Sequence, residues 1–202
     1  MAAQAPLTVL MVRHGESEAN AIGRFAFRSW DPGLTERGAE QARQLVFELA
    51  GVNVAGVVSS PLRRAIDTVT PLAEARHLSV EIVPELAELD MGSWDGQALK
   101  EVAQNDPTAW RAWRRDPEKN PPPRGERISQ AGQRVLQGLD RLRGRQGLYV
   151  AATHADCVKG AVLAVTGGYG PQARRLFVPN AGQILLRATE MGWLMVLPRV
   201  RL

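Results

Sequence analysis

An alternation constrains this chain more than any other feature. Short, continuously apolar runs are separated by segments whose apolar residues recur at helical spacing. The runs are Leu7–Val12, Val54–Ser59, Val80–Val83, Leu148–Thr153, Gln183–Arg187 and Trp193–Leu197, and each reads as a buried strand. Between them, Ala39, Ala42, Leu45, Val46 and Leu49 share one helical face, with Thr35 placed to cap that helix. Leu62, Ala65, Ile66 and Val69 mark a second helix. Pro71 is expected to kink or end it, because proline has no N–H for the carbonyl four residues back. Ile128, Ala131, Val135, Leu139 and Leu142 mark a third helix, and Val158, Ala161, Val162 and Val165 a fourth. Strands that are apolar throughout need cover on both faces. The pattern therefore predicts an α/β fold, a three-layer α/β/α sandwich with a largely parallel central sheet.

The 202 residues, 45% apolar and 23% charged, suit one globular domain over residues 1–202. No repeat or low-complexity tract interrupts it. The proline-rich stretch Asp116–Gly125 reads as an ordered surface loop, since too little chain follows to form a second domain. A balance of 25 basic against 21 acidic groups is too mild to indicate nucleic acid, and it suits small anionic substrates. The single cysteine, Cys157, allows no internal disulfide and is expected to be a small, partly buried apolar residue. The longest uncharged run, Gly160–Ala173, falls short of the about 20 apolar residues that a membrane span needs. The N-terminus lacks the pattern of a signal peptide, so the cytoplasm is the expected compartment.

Chemistry-bearing residues gather where the runs end. The first run leads into Arg13-His14-Gly15-Glu16, the second into Ser60-Pro61-Leu62-Arg63-Arg64, and the fourth into His154-Ala155-Asp156. The third leads into Pro84–Gly96, which holds Glu85, Glu88 and Asp90. In a parallel sheet these ends open on one edge, where such sheets bind ligands. Arg13 and Arg64 offer permanently charged forks that match phosphate oxygens. His14 can attack phosphorus through one ring nitrogen if a backbone acceptor holds the proton on the other. His154, surrounded by phosphate, is expected to be protonated and to donate to an equatorial oxygen. Two arginines and a histidinium can stand in for a metal, so neither metal nor cofactor is implied. A leaving alkoxide still needs a proton. Glu88 is the candidate acid and base, with Glu85 and Asp90 as fallbacks.

These segments resemble the histidine phosphatase superfamily, the phosphoglycerate mutase-like family. The resemblance runs through Arg13-His14-Gly15-Glu16-Ser17 with Asn20, Leu34-Thr35-Glu36-Arg37-Gly38, Ser60-Pro61-Leu62-Arg63-Arg64-Ala65 with Thr68, and Glu88–Gly96. It continues through Pro122, Pro123, Gly125 and Glu126 to His154. It implies that His14 is the nucleophile that becomes phosphohistidine, and that Arg13, Arg64 and His154 form the phosphate pocket. It also implies that Asn20 touches phosphate and that Glu88 is the acid/base. The chain departs from the family pattern at Ala155, Arg127 and Gly33.

The short segment after Glu88 looks more like the phosphatase branch than the cofactor-dependent mutases. A metal-independent phosphomonoesterase acting on a small phosphorylated substrate is therefore expected. A phosphoglycerate mutase is one alternative, and a non-catalytic module that binds phosphorylated ligands is another. Residues about 97–127 read as a lid-like segment. Its Arg111–Arg127 part is either a basic, aromatic rim or a solvated helix with Trp110 and Trp113 packed inward, the second being favoured. Arg24, Arg28 and Ala155 are possible substrate contacts. His77 is expected at the surface or as a cap, Asp156 as the cap of the helix after His154, and Lys159 in solvent.

Overall fold

The computed structural model of the chain describes residues 6–168 and 170–197. The N-terminal residues 1–5, where no leader is expected, lie outside that range, as does Tyr169 within the uncharged run. Six strands form one sheet: β1 (Thr8–Arg13), β2 (Val54–Ser59), β3 (Val80–Ile82), β4 (Leu148–Thr153), β5 (Gln183–Thr189) and β6 (Gly192–Val196). Their order is β3-β2-β4-β1-β5-β6. β5 pairs antiparallel with both β1 and β6, whereas β1, β2, β3 and β4 are parallel. All six predicted runs are strands, with ends shifted by one or two residues except in β2 and β4.

The runs of β1, β2 and β4 are largely buried, whereas the edge strand β3 and the outer strands β5 and β6 are mostly half-buried or exposed, contrary to the expectation of buried strands throughout. Leu7, Val9, Met11, Val58 and Ala151 pack with Val135, Leu139, Val158 and Ala161 on one face. Leu10, Val12, Val57, Val150 and Ala152 pack with Leu45, Ala65, Val69 and Leu72 on the other. Successive strand side chains point to opposite faces, so these two sets define the layers. The first helical layer is α2 (Glu36–Glu48) and α3 (Arg63–Ala75). The second is α6 (Ile128–Asp140) and α7 (Ala155–Thr166). Thr35 caps α2 as expected, its hydroxyl accepting from Gly38 N–H at 3.1 Å.

Pro71 does not end α3. The helix runs on to Ala75. Leu72 and Ala73 are buried in the core, and their packing holds the last turn despite the missing hydrogen bond. Short helices α1 (Glu18–Ile22), α4 (Leu99–Asn105) and α5 (Pro107–Arg115) lie outside the four apolar helical patterns read from the sequence. α5 starts at Pro107 after Asp106, whose carboxylate accepts from Ala109 N–H at 3.0 Å. Its Trp113 is buried and meets Trp94 and Phe25 edge-on, at 5.6 and 6.0 Å between ring centroids. The inward-packing alternative therefore holds for Trp113, while Trp110 is half-buried beside it.

The proline-rich stretch is ordered, as expected. Asp116 is buried and accepts from the N–H groups of Glu118 and Lys119. Ser93 N–H donates to Pro123 O at 3.0 Å, and Glu126 N–H to Asp90 O at 2.8 Å. Gly92 permits that approach: its φ is +53°, and a Cβ there would lie 2.2 Å from Pro123 O. Among the described residues, no helix is long and apolar enough to cross a membrane.

Candidate active site

Strand register brings the site together. Arg13 lies opposite Thr153 across the parallel β1–β4 pair, so His14 and His154 leave adjacent strands at the same level. The ladder continues past the strand ends, with His14 N–H donating to Thr153 O and Ser60 N–H to Ala152 O, both at 2.9 Å. The two imidazole rings meet at 5.1 Å between centroids, tilted by 61°.

Gly15 then turns the chain against α2 and α3. A Cβ at Gly15 would sit 2.7 Å from Gly38 O. Its N–H donates to Thr68 Oγ1 at 2.9 Å, and that hydroxyl donates to Arg64 O at 2.7 Å. Gly15 O lies 2.6 Å from His14 Nδ1. A carbonyl only accepts, so the His14 hydrogen is on Nδ1 and the Nε2 lone pair is free to face the pocket. Arg64 Nε donates toward that Nε2 at 3.2 Å. Arg64 is buried. Its Nη2 donates to Ala26 O at 2.8 Å, and its Nη1 lies 3.7 Å from Asp31 with no hydrogen-bond partner among the described residues.

Arg13, His14, Asn20, Arg24, Arg64 and Glu88 line a cavity of about 340 Å³, together with Phe25, Met91, Leu99 and Asp156. His154 is fully buried behind the His14 ring. Arg13 is steadied by Val178 O at 2.8 Å. Asn20 Oδ1 accepts from Ser17 N–H and from Asn180 Nδ2, which leaves the Asn20 amide hydrogens as donors. Glu88 Oε1 accepts from Leu89 N–H at 2.8 Å, and Oε2 lies 3.6 Å from His154 Nδ1.

The fallback acids are elsewhere. Glu85 pairs with Arg141. Asp90 pairs with Arg28 at 3.1 Å and accepts from Gly92 N–H. Arg28 therefore lines a neighbouring cleft, which Glu88 also borders, and not the His14 cavity. Ala155 is half-buried at the first position of α7, where its N–H has no intrahelical partner. Asp156 is not the cap of α7, since His154 holds that position without a side-chain bond. Asp156 instead lines the cavity and pairs with Lys159 at 2.9 Å, so Lys159 is not simply in solvent. His77 is exposed at the end of α3 with φ of +55°. Cys157 is buried, and its thiol donates to Ala87 O, with burial pushing its pKa up.

Burial and charge set the protonation states. Burial, then Arg64 and Arg13, lower the His14 pKa to about 3, against the opposing pull of its bond to Gly15 O. Burial, then the charge of Asp156, raises Glu88 to about 7, while Arg64 and Arg13 pull it down. His154 is held well below its ordinary value by burial, Arg64, His14, Arg134 and Arg13. These surroundings favour a neutral His154 before phosphate binds; the expected protonation concerned the phosphate-bound site. An ionised Glu88, whose Oε2 lies 3.6 Å from Nδ1, and a bound phosphate would both work in the other direction. One ligand atom each from His14, Glu88 and His154 lies within 4.8 Å of the others, a set that could hold a metal ion. The guanidinium groups of Arg13 and Arg64 in the same cavity disfavour a cation and favour an anion.

Four contributors were not marked by the sequence as site residues. Asn180 reaches His14 O and Asn20 from the far end of the chain. Asp31 and Ala26 hold the Arg64 fork, and Ser60 Oγ touches His154 Nε2 at 2.8 Å. Only Ser60 carried a signal, as the first residue of its motif.

Comparison with known proteins agrees with this geometry. The family model described as histidine phosphatase superfamily (branch 1) matches residues 9–200. Phosphoserine phosphatase 1 of Hydrogenobacter thermophilus is 36% identical over 161 residues, 79% of this chain and 76% of that protein. A bifunctional protein of Mycobacterium tuberculosis is 37% identical over 169 residues, 82% of this chain, and the chain spans 46% of that relative's length. Among solved structures, YhfR of Bacillus stearothermophilus superposes with a TM-score of 0.86, at 24% identity, over 94% of this chain and 95% of that one. The chain belongs to the histidine phosphatase superfamily.

Proposed function

We propose that the chain hydrolyses small phosphomonoesters without a metal, through a phosphohistidine on His14. One observation carries the reading: His14 Nδ1 is tied to Gly15 O, while Nε2 faces Arg64 in a cavity that also holds Arg13 and Glu88. In the first half-reaction Nε2 attacks phosphorus and the ester P–O bond breaks. The proton of Glu88 goes to the leaving oxygen. In the second, the Glu88 carboxylate takes a proton from water, whose oxygen attacks phosphorus. The P–N bond breaks and returns its electron pair to Nε2, releasing phosphate. Arg13, Arg64, Asn20 and His154 carry the charge on the transferring group.

A relative that is named a phosphoserine phosphatase supports a small substrate, as does a cavity of about 340 Å³. Residues 97–127 serve in this reading as a lid. Leu99 lines the cavity, and a backbone bridge joins Ala98 to Arg24. Arg24, which lines the cavity, contacts the alcohol portion of the substrate. The cytoplasm is the compartment that goes with this reading. A panel of phosphomonoesters assayed in EDTA tests it, with 3-phosphoglycerate included. Hydrolysis of several small esters is expected, without isomerisation of 3-phosphoglycerate. Rapid formation of 2-phosphoglycerate would favour a mutase, and binding without turnover a non-catalytic module.

A further inference from the structure

Ser60 is fully buried at the end of β2, and its hydroxyl oxygen lies 2.8 Å from His154 Nε2. The same oxygen accepts from Leu62 N–H at 3.2 Å. A serine hydroxyl has one hydrogen to give. Among the described residues its one acceptor is His154 Nε2. A hydrogen on Nε2 would have to donate to Ser60, stranding the hydroxyl's own hydrogen in a buried site, which is costly. Proton counting therefore puts the His154 hydrogen on Nδ1. That nitrogen is buried, has no hydrogen-bond partner among the described residues, and lies 3.6 Å from Glu88 Oε2.

We propose that Ser60 is a positioning residue that fixes His154 as the neutral Nδ1–H tautomer, so that His154 donates to the transferring phosphoryl group without carrying charge. The donation rests on the phosphohistidine reading above; the tautomer does not. The groups facing His154 agree. Arg13 at the end of β1, Arg64 on α3 and Arg134 on α6 present three cations. Glu88 before α4 and Asp156 on α7 are the acidic neighbours, with His14 and the Cys157 thiol alongside. A second histidine that donates while neutral does not lose its function as pH rises past the ordinary histidine range. An imidazolium would.

The tautomer can be read directly by ¹⁵N NMR of imidazole-labelled protein. The chain has only three histidines, and His14→Asn and His77→Gln assign the other two. In the wild type at neutral pH, His154 is expected to carry its hydrogen on Nδ1, with Nε2 unprotonated. Ser60→Ala should populate the Nε2–H form, lower kcat/KM on the order of tenfold, and move the activity optimum toward acid, where the imidazolium again offers Nδ1–H. Ser60→Thr should restore tautomer and rate. A wild-type His154 that is protonated on Nε2 or on both nitrogens overturns the proposal. So does a Ser60→Ala protein that loses activity with its tautomer unchanged, since that marks a merely structural serine. An Nδ1–H spectrum in a wild type that hydrolyses no ester would overturn the functional reading and leave the tautomer standing.

Discussion

Arg64 Nε points its hydrogen at His14 Nε2 across 3.2 Å, so a buried cation is aimed at the nitrogen assigned to attack phosphorus. The same guanidinium is anchored by Ala26 O and faces Asp31, which leaves Nη1 without a hydrogen-bond partner among the described residues. A phosphoryl oxygen would complete its set. Lysine at this position keeps the charge and loses the fork. Arg64→Lys should lower kcat/KM by about 10²–10³ and weaken competitive inhibition by inorganic phosphate. Steady-state kinetics with and without phosphate checks both.

The two assigned catalytic groups set the pH window. His14 attacks as the neutral ring, so activity should rise as pH passes about 3. Glu88 must hold a proton to start the first half-reaction, so kcat/KM should fall as pH passes about 7. Glu88→Gln should remove the upper limb. Its loss of rate should be larger for an alkyl phosphate than for a nitrophenyl ester, whose leaving group needs no proton. Profiles of both esters in EDTA measure this.

The same carboxyl group costs stability. Its folded pKa of about 7 lies above the ordinary 4.5, so the folded state holds a proton that the unfolded chain has released. Stability therefore falls as pH rises from about 4.5 through 7. Glu88→Gln abolishes that dependence and should stabilise the protein by on the order of 2 kcal/mol at pH ~8.5 relative to its effect at pH ~5. Urea unfolding at the two pH values reads the difference.

Asp95 holds the loop that holds Arg64. Its carboxylate accepts from the N–H groups of Phe27, Arg28 and Ser29 at 2.8, 3.0 and 2.8 Å, just after Ala26. Asparagine would turn an amide donor toward one of those N–H groups. Asp95→Asn should therefore lower kcat about tenfold with a smaller change in KM, because Arg64 is displaced by the loop. Kinetics on the purified variant, with its fold checked by circular dichroism, tests it.

Much of this was legible in the residues. Apolar runs such as Val54–Ser59, short and separated by helical patterns, fit strands of a covered sheet, and this one forms β2. Parallel pairing then put Arg13, Arg64, Glu88 and His154 on one edge. Thr35 announced its helix by a local bond. What stayed hidden depends on tertiary contacts. Pro71 remains helical because Leu72 and Ala73 are packed into the core. Asn180 reaches His14 O across the whole chain, and no local pattern carries that information. The lowered pKa of His154 follows from burial among arginines, which becomes visible only once the strands are registered.

The central claim is that His14 Nε2 carries phosphate during turnover. The direct measurement mixes enzyme with a rapidly cleaved aryl phosphate in EDTA, quenches in alkali, and locates bound phosphate by peptide mass spectrometry. One phosphoryl group on the peptide bearing His14 is predicted, absent in His14→Ala, together with a burst of the phenol equal to the enzyme present. Full hydrolysis by His14→Ala, or phosphate on another residue, would contradict the account.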